Sequence, residues 1–434
     1  MLNWLLSLDI IGGPLPWIVW GLGLLGAVLL LVRRPTVPRV RRTTIGLLTG
    51  GLVGYGACAL SDALNVFGTP LPPETRWWAA GSFAAIGLAV VNLWDSKLWR
   101  KLVAVVSIVL AGLSATIGIN AAYGLDTTVG DFLEISTLKT ATSFADPLPT
   151  HAAETLPLYT SWKPPADMPK HGEVRLLAAG TKIPSSAGFV PRDASIYLPP
   201  AALVKDPPAL PVVVHMMGLP GSPSPNRLQP VLDQFAAAHD GLAPIVIIAD
   251  QLGSSEQNPG CVDSKAFGGV STYFNKDIPD YIRTHLRVLP SSKYWTISGY
   301  SNGGACSFLY GAEHPEVWGS FASISGEEWA GMEDPGPVLS RVYGGSREKF
   351  DANKPENILL RHPGAYKDHA AVFTVGANDH RYGKHATSGA EHARTAGFVT
   401  TLTALPGDGH VGAAFVDGLT EELNVLAPLW GLAP

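Results

Sequence analysis

Three side chains far apart in this chain have the types that nucleophilic catalysis needs: Ser301, Asp379 and His410. The serine stands in Gly299-Tyr300-Ser301-Asn302-Gly303, a G-x-S-x-G pattern. The run Tyr294 to Ser298 is β-branched and aromatic, it breaks at Gly299, and residues compatible with a helix follow. Strand, sharp turn and helix form the setting in which this pattern presents a serine on a strained backbone. Glycines flank it because a β-carbon two residues away would meet neighbouring backbone. A serine hydroxyl is a weak nucleophile until a base takes its proton, and a histidine does so well only when a carboxylate fixes its tautomer and stabilises the imidazolium.

The partners are expected beyond the carboxyl ends of later strands, where open parallel sheets collect their functional groups. The strand-like run Ala371 to Val375 ends in Gly376-Ala377-Asn378-Asp379, and Val399 to Leu405 ends in Pro406-Gly407-Asp408-Gly409-His410. Serine, then acid, then histidine is the order this kind of sheet uses. Asp368 precedes its strand and Asp408 crowds the histidine, so both are weaker choices for the acid. An oxyanion needs backbone N–H donors. One is expected from Asn302 and one from the loop Met217-Gly218-Leu219-Pro220-Gly221, with Leu219 the first choice and Met217 and Gly218 the alternatives. His215 sits inside a strand and reads as a core or supporting histidine.

The elements that must position these groups alternate. Glu173 to Lys182 and Ala194 to Leu198 read as an early antiparallel pair. Pro211 to Met217 and Pro244 to Asp250 read as buried strands with a helix from Pro230 to His239 between them. Tyr273 to Leu286 reads as a helix, and Gly319 to Ser325 supplies another strand. Strands alternating with helices predict a mostly parallel sheet covered on both faces, over residues 166–434.

The first 125 residues differ. Four stretches are apolar enough to be read as membrane spans: Ile11 to Val32, Ile45 to Phe67, Trp77 to Trp94 and Leu102 to Tyr123. The first loop holds Arg33, Arg34, Arg39, Arg41 and Arg42, and the third holds Lys97, Arg100 and Lys101. Basic loops stay in the cytoplasm, so the chain after the fourth span is expected outside. Trp17, Trp20, Trp77, Trp78, Trp94 and Trp99 fall near the span ends, as an interfacial belt would. Asn65, Asn92 and Asn120 read as helix-packing or interfacial residues rather than a transport path. Residues 126–165 read as an extracytoplasmic tether.

With a net charge of −5 and 15% charged residues, nothing points to a nucleic-acid partner. No metal or organic cofactor is called for. The partners expected are membrane lipids and an ester or lipid substrate at the membrane surface, and the oligomeric state stays open. Of three cysteines, Cys58 lies in an apolar span, while Cys261 and Cys306 either pair or remain as buried thiols.

STYFNKDIPDYIRTHLRV followed by ISGYSNGGACSFLYGAEHPEVWGSFASISG resembles the esterase D and mycolyltransferase branch of the α/β-hydrolases. The resemblance runs from about Ala194 to the C-terminus. It implies an α/β-hydrolase fold, the triad Ser301, Asp379 and His410, and release or transfer of acyl groups from esters. In mycolyltransferases a tryptophan closely follows the histidine, whereas here Val411-Gly412-Ala413 follows. Several spans ahead of such a domain are similar to membrane-anchored esterases acting on envelope lipids, including aminoacylated ones. In the loop after the fourth strand, Asp263 or Glu256 is a candidate to receive a cationic acyl group. The reading is a four-helix membrane domain bearing an extracytoplasmic serine esterase. The alternatives are an acyltransferase that uses a sugar or lipid hydroxyl, and a non-catalytic hydrolase-like sensor.

Overall fold

The computed structural model describes residues 2–64, 66, 71–94, 96–147, 157–255 and 257–434. It divides into two compact units, Met1–Thr137 and Leu138–Pro434.

The first unit is built on helices α1 (Pro14–Leu31), α2 (Val37–Ala63), α3 (Pro73–Val91) and α4 (Leu98–Tyr123). Among the described residues three of these, α1, α2 and α4, are long and apolar enough to cross a membrane, not four. The exception, α3, carries Glu74 and Arg76 in its first turn and small residues through its middle. Those small residues serve packing. Gly46, Gly50 and Gly54 recur every four residues on α2, and a Cβ at any of them would strike the α3 backbone at Gly87, Phe83 or Ala79. Such repeats let membrane helices close to backbone contact.

Buried Arg100 turns back onto α1, donating from Nη2 to the Val32 carbonyl at 2.6 Å and from Nη1 to that of Leu30 at 3.4 Å. These are carbonyls the end of a helix leaves unpaired. The polar residues of the spans are also used locally. Asn92 donates to the Leu88 carbonyl at 2.9 Å, and Asn120 exchanges hydrogen bonds with the backbone of Asp126. Asn65, and Phe67 at the end of the expected second span, lie outside the described residues.

The second unit is organised by an eight-stranded sheet of β1 (Glu173–Leu177), β2 (Ala194–Leu198), β3 (Val212–Met216), β4 (Ile245–Ala249), β5 (Trp295–Tyr300), β6 (Ser320–Ile324), β7 (Ala370–Gly376) and β8 (Val399–Leu405). Their spatial order is β1-β2-β4-β3-β5-β6-β7-β8. The pairs β1–β2 and β2–β4 are antiparallel and the rest are parallel, which is the mostly parallel sheet of an α/β-hydrolase. Every residue of β2 through β6 is buried, because helices cover both faces and leave no side for water.

Register brings the loops together. Met216 pairs with Gly299, so the loop after β3 starts level with the turn after β5. Gly376 pairs with Leu405, so the loops carrying Asp379 and His410 leave the sheet side by side. Helices α5 (Leu228–Ala238), α6 (Asn302–Glu313), α7 (His380–Ala396) and α8 (Ala413–Leu426) complete the parts that matter below.

Of the segment expected as a tether, residues 139–141 run beside β1. Leu176 donates to the Lys139 carbonyl and Ala141 to that of Leu176, both at 2.9 Å. Leu158 is buried in the core of this unit and the Trp162 indole donates to the Asp240 carbonyl at 3.0 Å. Cys261 and Cys306 form a disulfide with Cα atoms 5.4 Å apart, and Cys58 is a free, buried thiol.

Candidate active site

The strand β5 ends at Tyr300 and α6 begins at Asn302, which leaves one residue to reverse the chain. Ser301 does so at φ 53° and ψ −114°, a left-handed conformation that costs a non-glycine residue about 1–3 kcal/mol. The surroundings hold it there. The Ser301 N–H donates to the Ile324 carbonyl on neighbouring β6 at 2.8 Å. A Cβ at Gly299 would collide with the backbone of Gly303, and one at Gly303 would stand 2.7 Å from the Met217 carbonyl oxygen. Both glycines of the pattern are therefore required by contact between β3, β5 and α6.

Ser301, Asp379 and His410 meet. Ser301 Oγ lies 3.1 Å from His410 Nε2, and His410 Nδ1 lies 2.9 Å from Asp379 Oδ2. The Asp379 side chain is 6% exposed and that of His410 22%. With the carboxylate as acceptor, Nδ1 carries the proton and Nε2 is left to accept from the serine. Asp379 has a second task as N-cap of α7, where Oδ1 accepts the Tyr382 N–H at 3.1 Å. Of the weaker acid choices, Asp368 is exposed, and Asp408 uses its backbone carbonyl to accept the Asn378 N–H at 2.8 Å.

Three aromatic and basic groups, not foreseen from the sequence, hold the histidine. The Tyr382 ring stacks on the imidazole with centroids 3.8 Å apart and planes 23° from parallel, and its hydroxyl donates to Glu333. The Tyr300 hydroxyl donates to the His410 backbone carbonyl at 2.6 Å. Arg227, just before α5, donates to the Gly412 carbonyl and lies over the Phe415 ring. Only one of these had a signal in the sequence: Tyr382 falls three residues after an aspartate that opens a helix, where capping occurs.

On the other side of Ser301 the loop after β3 is pinned. A Cβ on Gly218 would stand 3.4 Å from Ser301 Cβ, so this residue lies against the serine. Leu219 follows it, joined to Pro220 by a cis peptide bond. Gln251 Nε2 donates to the Met217 carbonyl at 2.6 Å and to Asn302 Oδ1 at 3.2 Å. Buried Asp250 accepts both Nε and Nη2 of Arg192, and Nη2 also donates to the Gly221 carbonyl at 2.8 Å. Asn302 opens α6, and its backbone N–H is among those the first helical turn does not use.

Two carboxyls lie behind Tyr382. Glu327 is 4% exposed, accepts the Met332 N–H at 3.0 Å, and is pushed up to about 8 by burial. Glu333, the partner of Tyr382, is also raised, first by burial and with the nearby Arg381 opposing. Asp263, by contrast, accepts the N–H and hydroxyl of Thr272 nine residues on, one with each carboxylate oxygen, and Glu256 lies outside the described residues. Beneath the sheet, fully buried His215 bonds through Nδ1 to Ser298 Oγ at 3.0 Å, and that hydroxyl reaches Glu422 at 2.6 Å. Burial lowers His215 to about 3 and raises Glu422 to about 8, so at neutral pH this chain carries no charge.

Known proteins resemble the chain at several levels. An uncharacterized protein of Corynebacterium glutamicum is 34% identical over 402 residues, covering 89% of each chain. Among solved structures, a ferulic acid esterase is 16% identical, covering 60% of this chain and 98% of its own, with a TM-score of 0.47. The Staphylococcus aureus fluorophosphonate-binding serine hydrolase F is 13% identical over 61% of this chain and 100% of its own, with a TM-score of 0.48. An S-formylglutathione hydrolase from Agrobacterium tumefaciens is 16% identical over 61% and 98%, with a TM-score of 0.47. The family model described as "Putative esterase" matches residues 190–406. That span takes in the pinned loop after β3, the serine turn and the acid-bearing loop, and it stops just short of the histidine. The chain belongs to this esterase family.

Proposed function

We propose that this protein is a membrane-anchored serine esterase whose catalytic unit lies outside the cytoplasm and which cleaves acyl esters through an acyl-enzyme. The observation that carries the reading is the unbroken relay from Ser301 Oγ to His410 Nε2 and from His410 Nδ1 to Asp379, at 3.1 and 2.9 Å. In it His410 takes the serine proton as Oγ attacks the ester carbonyl, and Asp379 stabilises the imidazolium that forms. The oxyanion is received by the N–H of Asn302 and a second N–H from the loop after β3. Leu219 is the assigned donor, next to the residue that touches Ser301. The imidazolium then gives its proton to the departing alcohol, and a water activated by the same histidine releases the acid.

Four helices crossing the membrane fit the packing of the first unit. At 19 residues α3 is about 28 Å long, close to the hydrocarbon thickness. Closed on by α2 along its small residues, it needs less apolar surface than a helix bathed in lipid. The basic residues between α1 and α2, and between α3 and α4, favour the cytoplasm for those turns. The disulfide between Cys261 and Cys306 supports an oxidising compartment for the catalytic unit.

A membrane lipid ester is the substrate class such an anchor favours, by raising the local concentration of amphiphiles. An acyl group bearing an amine, as in an aminoacylated lipid, suits Glu333, which binds Tyr382 beside the triad through one oxygen, better than Asp263, both of whose oxygens accept from Thr272. The test is Ser301→Ala in the full-length protein. Hydrolysis of p-nitrophenyl butyrate and labelling by a fluorophosphonate should both vanish while expression and membrane insertion persist. Turnover retained by that variant would remove the mechanism.

A further inference from the structure

Within the first unit a cavity of about 570 Å³ lies between α1, α3 and α4. Its lining changes along the helices. At one end stand Glu74, Trp77, Trp78 and Trp20. Away from them the walls are mainly Ala27 and Leu30 of α1, Ala85 of α3 and Ala111 of α4, with Ser82 and Ser107 among them. Leu24 and Trp77, which also line it, are 68% and 69% exposed, so the cavity opens sideways. Around helices this apolar, the surrounding medium is hydrocarbon.

The polar end has unspent chemistry. Arg76, two residues from Glu74, is already paired with Asp62 at 2.5 Å. The Glu74 carboxylate has no hydrogen-bond or ionic partner among the described residues. Trp20 stacks on Trp78 with ring centroids 5.1 Å apart, and the buried indole N–H of Trp20 has no acceptor among the described residues. Trp20 and Trp78 cover each other's faces and Gly118 closes on the far side of Trp78, but the exposed Trp77 ring stands three residues from Glu74 on the same helix, and a carboxylate beside an open indole face is a recognition set for an ammonium group, since the ring attracts the cation and the carboxylate neutralises it.

The apolar end has the dimensions of a hydrocarbon chain. From Trp20 to Leu30, α1 rises about 15 Å, half the ~30 Å thickness of a bilayer's apolar core.

We propose that this cavity binds one bilayer lipid with an amine-bearing headgroup, its ammonium against Glu74 and Trp77 and one acyl chain between α1, α3 and α4. The proposal rests on the membrane-spanning part of the reading above and not on the esterase chemistry. If both hold, the site selects the same class of amine-bearing lipids whose esters the catalytic unit would cleave.

The experiment uses the full-length protein in nanodiscs of phosphatidylglycerol that contain a minor fraction of lipid with dibrominated chains. That lipid is either phosphatidylethanolamine, which carries the amine, or phosphatidylglycerol, which does not. Bromine quenches nearby tryptophan fluorescence. Half-maximal quenching is expected at an about fivefold lower fraction of the amine lipid, the equivalent of ~1 kcal/mol for one carboxylate and cation–π site. Glu74→Gln should erase the preference, and Ala27→Phe, which fills the chain slot, should weaken quenching by both lipids. Equal quenching by the two lipids in the native protein, or a preference that survives Glu74→Gln, overturns the proposal. So does absence of quenching because a second copy covers this face, which light scattering would reveal as a dimer. Should Ala27→Phe fail to fold, Glu74→Gln alone decides. Turnover of p-nitrophenyl butyrate in the same discs reports the esterase reading separately and should not change in Glu74→Gln.

Discussion

Replacing Tyr382 tests how the histidine is held. Its ring stacks 3.8 Å from the imidazole, its backbone N–H binds Asp379, and its hydroxyl binds Glu333. Tyr382→Leu keeps the backbone contact and removes the other two. A buried aromatic pair contributes about 0.5–1.5 kcal/mol beyond its area, and a ring face under a cation contributes about as much again. The imidazole is a cation only after it has taken the serine proton, so the second contribution belongs to the transition state. A loss of ~1.4 kcal/mol there lowers kcat about tenfold. Tyr382→Phe retains the ring and should keep most of the activity, while losing stability on the order of 1 kcal/mol from the carboxyl left without its donor. The assay is steady-state hydrolysis of a small soluble ester, with kcat and KM separated. The expectation is a fall in kcat with little change in KM for the leucine variant and near-native kcat for the phenylalanine variant. Native kcat in the leucine variant, or equal losses in both, would refute the reasoning.

Other outcomes follow from the same geometry. Asp379→Asn keeps an N-cap acceptor for Tyr382 but not the charge beside His410, so kcat should drop roughly a thousandfold or more while the melting temperature barely moves. An equal loss of stability would instead identify a purely structural cap. Replacing Cys261 and Cys306 together with serine opens a cross-link spanning 45 residues of sequence, and chain entropy predicts ~4 kcal/mol of destabilisation, read from denaturant unfolding. Glu422, raised to about 8 by burial, holds its proton in the folded protein where the unfolded chain has released it. Its contribution to stability is therefore lost as pH rises from about 4.5 to 8, by a few kcal/mol at most. Glu422→Gln should flatten that slope, and melting curves across this range that match the native protein would count against it.

Much of the catalytic unit is legible in the sequence because its signals are local. The glycines at 299 and 303, the β-branched run before them and the loops at 376–379 and 406–410 each mark a strand end or turn within a few residues. The strand ends then need only parallel register to meet, and the sheet supplies it. What cannot be read locally depends on partners distant in the chain. Nothing near Tyr382 announces that His410 lies on its face, and nothing near Arg227 that it grips Gly412. The pairing of Cys261 with Cys306 stays open in the sequence because neither spacing nor composition brings the loop after β4 to the start of α6. In the first unit the repeat of Gly46, Gly50 and Gly54 is visible, but the small residues it faces make α3 less apolar than a solitary span. Hydropathy therefore weakens at the helix most enclosed by its neighbours. Asp263 shows the opposite failure: an acid in a pocket-forming loop looks available until Thr272 is seen to use it.

The hydroxyl of Tyr300 on the carbonyl of His410 links the residue before the proposed nucleophile to the proposed base. Positional error between the two therefore does not accumulate along the 109 residues that separate serine from histidine. The segment between β6 and β7 meets this pair through Glu333 on Tyr382, and away from that contact it is free to change in length and composition without loosening the pair. If the proposed esterase chemistry holds, new substrate preferences can evolve there while it stays fixed.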